Sequence, residues 1–167
     1  MLRLLTTLAL LAMPMAGSAK WMEASSPHFV IYADDTPTDI QRFSQQLERF
    51  HGAMALMLER SEDGPPSPSN RVTVYVVKSD REVRKLAGDK TGFTYAFYQP
   101  RAGGSYAIVP TISSDGDSLS FSMIALLHEY AHHFQLSTSR ENWPRWFVEG
   151  SAEFFASAKF EKDGNLT

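Results

Sequence analysis

The sequence predicts an α+β domain in which a mixed, twisted β-sheet is packed on helices, and three observations carry that expectation. Short runs rich in β-branched and aromatic residues at 28–32, 72–77, 93–98 and 105–109 have the length and composition of strands. Between and after them, apolar residues recur at steps of three and four, the period of a buried helix face. The segments alternate strand, helix, strand, helix in the first half and close with two helices, an order that suits helices laid on a mixed sheet. With 167 residues and 43% hydrophobic content, the chain is large enough for one domain with a sizeable core.

Residues 1–19 read as an export signal. Arg3 is the positive region, 4–15 the apolar stretch, and Gly17-Ser18-Ala19 a small-x-small cleavage site. The apolar stretch falls short of the roughly 20 residues that span a bilayer. The expectation is therefore a cleaved leader, a product starting at Lys20 without a stable membrane anchor, and a secreted or periplasmic location. His28 opens the first strand and reads as structural, because nothing near it has metal-ligand spacing.

After the turn at Asp34-Asp35, Thr36 can cap a helix with Pro37 at its first position and Asp39 completing a capping-box-like pair. Ile40, Phe43, Leu47, Phe50, Met54 and Met57 form a stripe expected to face the core, with His51 beside it. Residues 61–70, rich in proline, read as a surface loop. A strand at 72–77 follows, then a short helix marked by Ser79 and Glu82, running through Leu86 and ending near Gly88. Strands at 93–98 and 105–109 are joined through Gln99-Pro100-Arg101-Ala102-Gly103-Gly104, a connection with hairpin chemistry. A polar loop at 113–117 leads into a helix starting near Ser118, with Leu119, Met123, Leu126, Leu127, Tyr130 and Phe134 on its apolar side. Asn142 is the expected cap of the last helix, with Pro144 near its first turn.

The chemistry is concentrated in His128-Glu129-Tyr130-Ala131-His132, an H-E-x-x-H pattern within the apolar run 123–134. Residues four apart share a helix face, so both imidazoles can close on one metal ion from successive turns. Glu129, one step round, lies where it can take a proton from water activated at the metal without becoming a ligand. A third ligand must come from elsewhere, and Glu149 supplies it if the next helix folds back on this one. The fourth tetrahedral position then stays open, as catalytic zinc requires. Glu153 shares the face of Glu149 and reads as a carboxylate that orients one histidine through its other ring nitrogen. His133 points away from the ligand direction and reads as a solvent-facing or supporting group. The chain has no cysteine, so histidines and carboxylates are the only donors for a metal centre.

This pattern, H-E-x-x-H followed by Trp146-Phe147-x-Glu149-Gly150-x-Ala152-Glu153, resembles the gluzincin group of zinc metallopeptidases, whose third ligand is a glutamate on the next helix. It is similar to secreted bacterial peptidase-like domains of uncharacterised function with H-E-x-x-H and a P-x-W-x-x-E-G-x-A-E run. The match covers His128 to Glu153. It implies a zincin-like fold, one bound Zn2+ and peptide-bond hydrolysis by metal-activated water, with 20–167 as the N-terminal subdomain of such an enzyme, since relatives continue beyond the second helix. It also implies an edge strand that holds extended substrate, here Gly104, Ser105, Tyr106 and Ala107. The oxyanion donor of related enzymes follows the second helix; Tyr95, Tyr98 and Tyr106 are local substitutes, and spacing does not choose among them.

A formal charge of −3 with no basic stripe argues against nucleic acid as a partner; the peptide or protein substrate is what the resemblance implies. Two other classes stay open. One is a zinc-holding, peptidase-like module that binds peptide without turnover; the other is a structural domain whose histidines are surface groups. Stoichiometric zinc separates the last from the others, and turnover separates the first two.

Overall fold

A five-stranded sheet organises the chain in the computed structural model, which describes residues 21–60, 67–111, 121–139, 141–161, 163 and 165–167. Its strands are β1 (Met22–Ser25), β2 (Phe29–Ala33), β3 (Val72–Val76), β4 (Phe97–Gln99) and β5 (Tyr106–Val109), in spatial order β1-β2-β3-β5-β4. The central trio β2, β3 and β5 is parallel; β1 and β4 flank it antiparallel. The helices among these residues are α1 (Pro37–Met57), α2 (Asp80–Ala87), α3 (Phe121–Thr138) and α4 (Arg145–Ala156), with a 3-10 turn at Pro68–Asn70. The fold is thus α+β with a mixed sheet. The leader at 1–19, residues 61–66 of the proline-rich loop, the loop at 113–117, the helix start at Ser118 and Leu119 lie outside the described residues. No helix among those described is long and apolar enough to cross a membrane.

Alternation along the strands assigns the two sheet faces. Phe29, Ile31 and Ala33 of β2 and Val72, Val74 and Val76 of β3 enter the main core with Ala107 and Val109 of β5. The other face carries a cross-strand aromatic row: Tyr32 stacks on Tyr75 at 5.6 Å, and Tyr106 meets Tyr75 at 6.3 Å and Phe97 at 6.2 Å. α2 covers part of this face by placing buried Val83 against Val77 and Ile108. Ser79 caps α2 and Gly88 ends it at φ 70°, a left-handed turn that suits glycine.

α1 lies on the core face. Thr36 caps it by accepting from the Asp39 N–H at 3.2 Å, as the Thr-Pro-x-Asp order predicts. Ile40, Phe43, Leu47, Phe50 and Met54 are buried, but Met57 is 59% exposed. The expected stripe outlasts the sheet beneath it: a helix of this size runs about 30 Å, a five-residue strand about 17 Å.

α3 buries Met123, Leu126, Leu127, Tyr130, Ala131 and Phe134 in the same core and pairs with α4, the most extensive contact between two elements. Ala131 of α3 and Ala152 of α4 are both fully buried in the main core. The Gln135 amide donates to Ser151 Oγ at 2.5 Å, and that hydroxyl donates to the Phe147 carbonyl at 2.6 Å. α4 starts at Arg145 with Pro144 as its cap residue, so Asn142 is not the cap. The residue before a proline is disfavoured in the helical region, which accounts for Trp143 lying outside α4; Pro144 itself is extended, at φ −65° and ψ 146°.

Candidate metal centre

The packing of α3 on α4 turns three donor atoms toward one point. His128 and His132, one turn apart, bring their Nε2 atoms to 3.1 Å with the rings nearly perpendicular, at 84°. From α4, Glu149 Oε2 stands 3.6 Å from His128 Nε2 and 3.4 Å from His132 Nε2. Ligands about 2.0–2.2 Å from a tetrahedral zinc are separated by roughly 3.3–3.5 Å. The triangle therefore has the size of one tetrahedral face, and these groups can hold a metal ion together. The donor set fits zinc: two imidazoles and a carboxylate, with no thiolate.

Access is one-sided. The side chains of His128 and His132 are only 20% and 19% exposed, whereas Glu149 is 47% exposed. Glu153 Oε1 lies 3.5 Å from His128 Nδ1, the nitrogen facing away from Glu149, as its position four residues past Glu149 predicts. Arg145 Nε is 3.8 Å from Glu149 Oε1, the oxygen not turned to the histidines, as a weak ion pair of an exposed side chain. Sequence reading passed over Arg145, although its i,i+4 relation to Glu149 on one helix is a legible signal.

Glu129 is partly buried on α3 beside the histidines. Its charge reaches Tyr98: burial first, and then Glu129, push the Tyr98 hydroxyl above the ordinary tyrosine range, against a hydrogen bond with Ser105. Tyr98 nevertheless has its proton committed. His133 Nε2 donates to the Asn70 carbonyl at 3.0 Å, which can only accept. Burial pushes the His133 pKa down and keeps the ring neutral, so Nδ1 is an acceptor and takes the Tyr98 O–H at 2.7 Å. His133 is therefore buried and hydrogen-bonded, not solvent-facing. Tyr106 lies on the opposite sheet face with Val83, away from the histidines. Tyr95 is 41% exposed and stacks on Phe121 at the start of α3.

One expectation is overturned. β5 lies between β3 and β4, so Tyr106 and Ala107 sit in an interior, fully paired strand. Gly104 and Ser105 precede it in the connection, where the Ser105 carbonyl accepts from Thr73 N–H at 2.9 Å. The edge beside α3 is β4. Hairpin chemistry identified the β4–β5 pair but is silent on which member faces the rest of the sheet; the parallel pairing of β5 with β3 decides that. His28, read as structural, and His51, beside the apolar stripe of α1, form one assembly: their rings stack at 3.5 Å, and His51 Nδ1 shares a 2.6 Å hydrogen bond with Tyr130 OH. No local sequence signal announces that contact.

No protein-family model matches the chain, and no curated protein matches it in sequence.

Proposed function

We propose that this chain is an exported, zinc-dependent peptidase of the gluzincin kind, with a zincin-like fold in which α3 is the H-E-x-x-H helix. The supporting observation is the triangle of His128 Nε2, His132 Nε2 and Glu149 Oε2, with sides of 3.1–3.6 Å. Zinc bound there supplies a Lewis acid that brings the pKa of water near neutrality and polarises a carbonyl.

The chain's own residues do the rest. Glu129, which is not one of the three donors, accepts the proton of the attacking water and delivers it to the leaving amine. Glu153 fixes the His128 ring through Nδ1 and makes it a better donor. The open side of β4 offers main-chain groups to an extended peptide, a mode of binding that gives register without strong side-chain preference.

The test is Glu129→Gln in the purified chain. Zinc should remain at one equivalent while cleavage of a peptide library falls by at least two orders of magnitude, the scale of lost general-base catalysis. If wild type and variant both hold zinc and neither cleaves, the chain is a peptide-binding module of the same architecture. If wild type takes up no zinc, the structural reading of the histidines stands.

A further inference from the structure

We infer that two buried hydrogen-bonded tethers on the far side of α3, Tyr130 to His51 and His133 to Tyr98 and Asn70, set the roll of this helix and so the metal affinity of His128 and His132. The inference rests on the zinc reading above and adds positioning residues to it.

The argument starts from helix geometry. At 100° per residue, Tyr130 points about 180° from the mean direction of His128 and His132, and His133 about 120° from it. Neither can touch an ion held by the ligand pair, yet both are buried, at 3% and 9% exposure. A hydroxyl and an imidazole in such positions cost free energy unless partnered, and both have partners. Tyr130 reaches α1, where His51 is 6% exposed and stacks on His28. His28 is gripped in turn by Glu48: its Nδ1 lies 2.7 Å from Oε2, and its main-chain N–H donates to Oε1 at 2.9 Å. His133 reaches two other elements, donating to the Asn70 carbonyl and accepting from Tyr98 of β4. Ser105, which accepts from Arg101 N–H at 3.3 Å, lies in the connection that follows Tyr98.

These tethers supply what the surrounding core does not. Leu126, Leu127 and Phe134 bury α3 firmly, but apolar contact is non-directional and tolerates a few degrees of roll. An imidazole nitrogen sits roughly 6 Å from the helix axis, so a 10° roll moves it by about 1 Å. Metal coordination tolerates about 0.2 Å. Hydrogen bonds to three separately anchored partners, α1, β4 and the turn at Asn70, fix the angle that the apolar contacts leave loose.

The experiment uses the whole chain and zinc alone. Tyr130→Phe and Tyr98→Phe each remove one hydroxyl and keep the ring, and Thr36→Ala, far from both tethers, serves as a control for lost stability. Zinc dissociation constants come from competition with a chromophoric chelator, and Co2+ substitution gives a d–d spectrum that reports ligand geometry. Each Tyr→Phe variant should bind zinc about tenfold more weakly, the scale seen when a supporting partner of a ligand is lost, with a changed cobalt spectrum. Thr36→Ala should bind as wild type does. Should Tyr130→Phe fail to fold, Tyr98→Phe reads the second tether alone. Wild-type affinity and spectrum in the Tyr→Phe variants overturn the tethering while leaving the zinc reading intact. A wild-type chain that takes up no zinc overturns both.

Discussion

Glu48 shows how single side chains away from the candidate metal centre shape this protein. Burial alone would raise its pKa, but hydrogen bonds from the His28 ring, the Ser26 hydroxyl and the His28 main chain outweigh it and lower the carboxyl from 4.5 to about 2. A group whose folded pKa is depressed stabilises the fold above its unfolded value, and that contribution disappears as pH falls through the folded one. The window is therefore pH 4.5 down to about 2. Urea midpoints of metal-free wild type and Glu48→Gln should differ most above pH 4.5 and converge toward pH 2. Parallel curves across that range would rule the pairing out. At this scale the residues of the donor triangle were legible, because H-E-x-x-H and a downstream glutamate carry their spacing in the sequence. The environment of His28, His51 and His133 was not, since each partner lies 20 or more positions away and only folding brings it near.

Elements with local instructions were read almost to the residue. Thr36, Pro37 and Asp39 announced the start of α1, and Ser79 and Gly88 bracketed α2, because caps and left-handed turns are interactions within three or four residues. β1 was missed: Met22-Glu23-Ala24-Ser25 alternates apolar and polar residues, but it is only four residues long with no β-branched or aromatic residue, and the ladder that β2 offers makes it a strand. The misplaced edge has the same origin, since strand order is a property of pairing across the sheet. The cap makes a direct prediction. Thr36→Ala leaves the Asp39 N–H without its acceptor and should cost about 1 kcal/mol, seen as a lower urea midpoint at unchanged slope. A change within a few tenths of a kcal/mol would mean that water caps α1 equally well.

At the scale of the whole molecule, the donor triangle spans α3 and α4, so a metal bound there would be linked to the fold. α4 is joined to the rest chiefly through α3, and its first turn has no side-chain cap. A zinc ion bridging His128, His132 and Glu149 would cross-link the last helix to the core that β2, β3 and α1 build. Because the ion binds this constellation only in the folded chain, it stabilises by mass action: about 2.7 kcal/mol when free zinc is a hundred times the dissociation constant. For a chain of this length that is a rise in melting temperature of roughly 5–10 °C. The rise should grow with zinc concentration and vanish on adding a chelator. Glu149→Ala should abolish it while leaving the metal-free melting temperature nearly unchanged, since the carboxylate is half exposed and buries no core. A melting temperature indifferent to zinc and chelator, in a chain that otherwise folds, would mean that the two imidazoles and the carboxylate meet for reasons unconnected with metal.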